Sequence, residues 1–360
     1  MPILPVSKIT ANAGVFGKYL DQPALVEKLY NVMPAVLTGT AAGYGIYDTM
    51  RTQPEQRKKR AVKNASVLGF TVVSALLATR GLKIKGKEIF EGIIELPEKD
   101  KDGIAQVLTK PLSKKAKQLV EKVDKDGVLK FSEVKALMKE FKDKFKDEKL
   151  ISKVIPDAES EAPFADLLKL SWLGLIPVLG GIAGGVVGDK LVKDDWKKQF
   201  PDKVKEGTYQ YLNNIALCNV GAGLGALAMN AFNVKSKTAR FAAMLTGVLG
   251  VGLLAGNAIA NFIGKNYINP LFDKNKKHEH KTLKEMVKNL NSERHPEALD
   301  VSLHLDDVAS VGFVSGLKWI GPVLPMLYSV SAYRAGIGYR NGNQPEQQKQ
   351  NTSDMAKTVI

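Results

Sequence analysis

The residues able to do chemistry are few in this chain, and most are poorly spaced for it. All four histidines, His278, His280, His295 and His304, fall in one loop at 265–307. An H-x-H pair with two further imidazoles has the ligand type that zinc takes, but no cysteine joins them and the spacing fits no standard site. The run DKNKKHEHKTLKEMVKNL reads more simply as a solvated, surface-lying helix. HExxH, GxSxG and GxxxxGK[ST] do not occur. Gly223, Gly225 and Ala228 fit the loose pattern GxGxxA, but they lie in an apolar helical run with no preceding strand, where a dinucleotide fingerprint has no context. Cys218 is the single cysteine, so no intrachain disulfide forms, and its apolar surroundings make it a small buried hydrophobe. No catalytic constellation emerges, and the chain is expected not to be an enzyme.

The remaining candidates are polar groups inside apolar runs. Asn257 and Asn261 stand one turn apart in the run 241–264, and Lys318 interrupts the run 308–333. In hydrocarbon, asparagine side chains bond across to neighbouring helices, each contact contributing about 0.6–2 kcal/mol. The other reading is a polar path lined by Asn257, Asn261 and Lys318. Asp, Glu and His are absent from the apolar runs as delimited, which weakens a proton- or ion-coupled pump.

The elements that must position these groups are apolar blocks separated by lysine-rich stretches. A membrane-crossing helix needs about 20 apolar residues, because it rises 1.5 Å per residue through a core about 30 Å thick. Segments 241–264, 170–188 and 207–234 meet that need best. Segment 29–47 is polar for a span, 64–79 is short, and 308–333 carries Lys318. The expected fold is an all-α polytopic membrane protein with about six glycine-rich spans.

Glycine spacing sharpens this expectation. Gly252, Gly256, Ala260 and Gly264 recur every four residues, as do Gly180, Gly184 and Gly188, and Ala35, Gly39 and Gly43. A four-residue step lines one face of a helix, and a face without side chains lets two backbones approach closely in lipid. Each glycine costs about 1 kcal/mol relative to alanine in a water-exposed helix, so a soluble bundle fits the pattern poorly. These runs resemble the glycine-zipper segments of membrane proteins, which implies a packing mode rather than a family. An internal echo joins VLTGTAAG at 36–43 to VLGGIAGG at 178–185, each with a proline just upstream (Pro34, Pro177), and WLGLIPVL to WIGPVL. The economical explanation is a duplicated helical hairpin.

Between the second and third runs lies a charged insert, roughly 84–165. Leu119, Val120 and Val123, then Val134, Leu137, Met138 and Phe141, follow helical spacing on either side of DKDG at 124–127. The region resembles an EF-hand, the helix–loop–helix calcium module. The resemblance implies that Gly127 takes the sharp turn, that Asp124 and Asp126 are the third and fifth loop residues, and that Glu133 is the closing carboxylate. Lys122 stands in the first ligand position, where a cation removes one ligand and repels calcium. The expected module therefore keeps the turn and loses the ion, with calcium at Asp124, Asp126 and Glu133 as the alternative. A second DKDG at 100–103 lacks the closing glutamate and reads as a vestigial partner. No other cofactor is expected.

These readings divide the chain into an N-terminal segment (1–28), a first membrane hairpin (29–83), the insert (84–165), four further membrane segments with a charged loop (166–340), and a Gln/Asn-rich disordered tail (341–360). The N-terminus lacks a basic start followed by a long apolar core, so no cleaved signal peptide is expected. The net charge of +15 then points to anionic lipid headgroups before nucleic acid. The basic turns at 51–63 and 190–205 favour the cytoplasmic side, although Arg80, Lys83, Lys85 and Lys87 crowd the opposite end of the second run. Expected is a multi-pass protein, of the cell membrane in the first instance. Three functions suit it: a scaffold packed through small-residue faces, with homo-oligomers or protein partners; a channel or small-solute transporter built on the hairpins; and a membrane-inserting pore-former.

Overall fold

The computed structural model describes residues 22–80, 82–84, 87–90, 93–95, 101–146, 150–154, 163–272, 305–315 and 317–338. The four histidines, residues 273–304 of the 265–307 loop, residues 1–21 of the N-terminal segment and the 341–360 tail lie outside the described residues.

The chain begins with two long helices, α1 (Gln22–Arg51) and α2 (Pro54–Arg80), joined by a two-residue turn. Three short strands follow, β1 (Leu82–Ile84), β2 (Lys87–Phe90) and β3 (Ile93–Glu95). The insert then builds α3 (Lys101–Leu108), α4 (Lys114–Asp126), β4 (Val128–Lys130), α5 (Phe131–Glu140) and α6 (Leu150–Val154). The span region comprises α7 (Pro163–Leu191), α8 (Trp196–Tyr211), α9 (Leu217–Ala231), α10 (Lys237–Gly247), α11 (Gly256–Ile263) and α12 (Asn269–Phe272). It closes with α13 (Leu305–Val314) and α14 (Leu324–Ile337).

The insert has a water-soluble logic. Ser113 caps α4 by accepting from the Ala116 N–H, and α4 ends at Gly127, whose φ of 63° suits a residue without a side chain. Ile104, Val107, Val120, Val123, Leu137 and Phe141 form an apolar core, joined by Ile151 and Val154 of α6. The strand after Gly127 pairs antiparallel with β3, Ile94 opposite Leu129. The second DKDG does not form a loop. Asp102 and Gly103 lie in the first turn of α3, with Gly103 buried, and Asp100 falls outside the described residues.

Among the described residues three helices are long and apolar enough to cross a membrane: Pro54–Thr79, Pro163–Leu191 and the continuous Trp196–Ala231. A fourth forms if Thr238–Gly252 and Gly256–Phe272, bent by 41°, count as one broken span. The expected six are not all found among the described residues, for physical reasons. Segment 29–47 is helical within α1, but its tyrosines, threonines and glycines leave it too polar. Segment 308–333 is not one helix. Pro322 and Pro325 each lack a backbone donor, and the chain resolves into α13, a 3₁₀ turn at Lys318–Val323, and α14 with Pro325 in its first turn.

Helices α2, α7 and α14 pack together along most of their lengths, with α8 and α9 against them. Gly180, Gly184 and Gly188 of α7 face Ser74, Phe70 and Lys63 of α2, an antiparallel pairing. Gly181 and Gly185 on the adjacent face of α7 meet the Ala332 and Gly336 carbonyls of α14. At Gly180, Gly181, Gly184 and Gly185 the neighbour is so close that a β-carbon would collide with it; at Gly188 the fit is tight, with Lys63 at 3.2 Å.

Candidate functional site

Three groups of buried polar side chains run through this bundle. The first joins the two basic turns. Lys63 of α2 reaches Asp189 at 2.8 Å and Asp194 at 2.6 Å, Lys203 of α8 reaches Asp189 at 3.0 Å, and Lys59 pairs with Asp194. Asp189 and Lys203 are almost fully buried, so each depends on its partner to offset desolvation. For Asp194, between α7 and α8, burial works against the charged form, but hydrogen bonds and charge from Lys59 and Lys63 outweigh it and hold the carboxyl below its usual range. Beside this group Arg60 donates to Asp48 at 2.6 Å, Asn64 donates to Asp48 at 2.6 Å, and the Tyr333 hydroxyl donates to Asn64 at 2.9 Å.

The second group is a ladder on α8. Gln210 donates to Glu206 at 2.7 Å, and Asn214 donates to Gln210 at 2.7 Å. These residues are four apart, so they stack along one face. A π turn at Leu212–Ala216 widens the helix there, and the consecutive residues Asn213 and Asn214 are both buried. Arg334 of α14 lies 3.9 Å from Glu206. Tyr209 on the same helix donates to Asn257 at 2.8 Å, and Asn261 donates to Asn257 at 3.1 Å.

The third group opens α13. Asp306 and Asp307 are both buried, and Ser310 lies 3.1 Å from the Tyr328 hydroxyl. Neither carboxylate oxygen of Asp306 has a hydrogen-bond partner among the described residues. A buried acid of this kind is stable only when neutral or when a cation accompanies it.

The residues singled out from sequence distribute unevenly. Asn257 and Asn261 come together and are buried. Lys318 opens the 3₁₀ turn, whose main neighbours are α1, α13 and α14, whereas α11, which carries the asparagines, packs mainly against α8 and the π turns around it. Gly252 faces Cys218, Gly256 faces Asn213, and Ala260 is buried. Gly39, Gly43 and Gly264 have open space beside them. Gly39 and Gly43 correspond to Gly181 and Gly185 in the internal echo, so the matched motifs occupy different environments.

In the EF-hand-like turn both Glu133 oxygens accept from the Lys122 ammonium, at 2.8 and 2.7 Å, and one also accepts from the Lys130 N–H at 2.9 Å. Asp124 and Asp126 are exposed. The chain's own cation thus occupies the carboxylate that would close a calcium site. No cluster of three or more His, Cys, Asp or Glu side chains is placed to hold a metal among the described residues.

The sequence analysis leaves out Asp189, Glu206, Asp306 and Arg334, which flank the boundaries of the apolar runs, and places Lys203 in the basic turn at 190–205. The helices run past those boundaries, and Asp189 and Glu206 lie inside candidate spans. Their spacing held a signal: Glu206, Gln210 and Asn214 fall on one helical face. Comparison with protein families, with curated proteins and with solved structures finds no match for this chain.

Proposed function

We propose that the chain is a non-enzymatic, multi-pass membrane protein whose span bundle is a closed scaffold, with the insert and the basic turns presented to partners or to anionic lipid. One observation carries this reading. Glycines of α7 and α9 bring neighbouring backbones into contact along the bundle interior: Gly181 against Ala332, Gly221 against Gly247, and Gly225 against Ala243. Close backbone packing suits a medium where water expulsion does not drive association, and it leaves little room for a solute. The buried ion pairs and the amide ladder bond mainly to one another, which suits stitching better than transport.

A second reading, a channel or small-solute transporter, draws on the buried Asp306, whose carboxyl has no ion-pair partner among the described residues. An ionisable side chain inside a membrane bundle marks ion or proton pathways in many proteins. Reconstitution into liposomes loaded with a pH-sensitive or ion-sensitive dye separates the two. The scaffold predicts no flux above protein-free vesicles. Flux that is abolished by Asp306→Asn would overturn it in favour of the transporter.

A further inference from the structure

We infer that the end of the bundle formed by the two interhelical turns is a binding surface for anionic phospholipid headgroups, with Trp196 at headgroup depth; this rests on the membrane reading. The turns at 51–59 and 190–198 are far apart in sequence. The bridges from Lys59 and Lys63 to Asp189 and Asp194 hold them at one end of the molecule. The first turn exposes Arg51, Arg57, Lys58 and Lys59. The second exposes Lys190, Lys193, Lys197 and Lys198. Lys59 is paired with Asp194; against the other seven cations stand two exposed acids, Glu55 and Asp195, the latter 3.7 Å from Lys198. Asp189 is drawn inward to Lys63 and Lys203, and Asp194, part-buried, is committed to Lys59 and Lys63.

Aromatic rings sit at the same level. Lys190 lies over the Trp196 ring at 4.5 Å, Phe200 packs edge-on to Trp196, and Arg51 lies over Tyr47 at 5.4 Å. Tryptophan and tyrosine rings favour the membrane–water interface, where one end is apolar and the other wet. Lysine and arginine stems extend from there to the phosphates. Basic side chains on two turns around an interfacial indole, at the ends of helices that are apolar enough to cross a membrane, favour a lipid surface over the groove of a nucleic acid.

The test uses the full chain carrying Trp172→Phe and Trp319→Phe, so that Trp196 is the only reporter. In liposomes, quenching by brominated phosphatidylglycerol is compared with quenching by brominated phosphatidylcholine. The expected result is an anionic preference of about threefold. It falls to about one in the variant Arg57→Gln, Lys58→Gln, Lys193→Gln, Lys198→Gln, whose thermal midpoint stays that of the parent. Equal quenching by both lipids, or a preference that survives the four substitutions, overturns the inference. So does tight binding of a labelled DNA duplex by the detergent-solubilised protein with no lipid preference. A protein that alkaline carbonate strips from membranes would instead fail the membrane reading itself, an outcome distinct from loss of lipid preference in a protein that stays embedded.

Discussion

The insert and the span bundle solve opposite problems. In the insert, apolar side chains point inward and charges point outward, as water demands: Val120, Leu129, Leu137 and Phe141 are fully buried while Asp124, Lys125 and Asp126 are exposed. In the bundle the pattern is mixed. An apolar core around Leu167, Ile215 and Tyr328 shares the interior with Asn64, Lys203, Glu206, Asn214 and Arg334, and Phe70, Val73, Trp172, Leu179, Leu224 and Leu249 face out. A water-soluble domain of that design would expose a large apolar surface and bury charges at a net cost. In lipid the same outward face is free of penalty, and the inward polar groups find their partners in each other. The difference is the one expected if water surrounds the insert and lipid surrounds the bundle.

The comparison can be broken at points where each region depends on its own logic. The largest effect is expected for Glu206→Ala, which leaves Arg334 buried beside an empty site. A loss of about 4 kcal/mol is expected in detergent unfolding, partly recovered when Arg334→Met is added to Glu206→Met. Gly185→Leu drives a side chain into the Gly336 carbonyl and should cost about 3 kcal/mol or abolish folding, whereas Gly43→Leu, next to open space, should change the midpoint little. In the insert Leu137→Ala opens a cavity, and a loss of about 2–3 kcal/mol is expected, confined to insert amides in hydrogen exchange. Lys122→Met removes the internal cation from Glu133 and should cost about 1 kcal/mol. In the parent protein neither calcium nor a chelator should move the unfolding midpoint. The smallest effect concerns pH. The Asp194 carboxyl is held below its ordinary value when folded, so its contribution is present above about pH 4 and is lost as the pH falls through the lowered value. Asp194→Asn should remove that part of the acid sensitivity and leave the alkaline side unchanged.

Much of the helical framework was legible in the sequence, because long uncharged runs such as 170–188 admit few other structures. The turn at Gly127 and the apolar faces around it were legible too, since spacing alone sets them. Span count was not. Hydropathy along 29–47 and 308–333 is intermediate, and there the decision falls to Pro322, Pro325 and the neighbours of α1. The polar interior was hidden for a different reason. Treating a charge as the end of a span assumes that charges lie in water, and Asp189, Glu206 and Arg334 instead pair across helices whose contacts are long-range. Gly39 and Gly181 carry matching local sequence yet differ in surroundings, a difference that only the third helix, α14, creates.

The most direct test of the membrane reading of the bundle is fractionation of cells expressing the protein, followed by alkaline carbonate extraction of the membranes. Retention of the chain in the extracted membrane is the predicted result. Its release, or its recovery in the soluble fraction from the start, would contradict the account and make the glycine contacts those of a soluble or peripheral bundle.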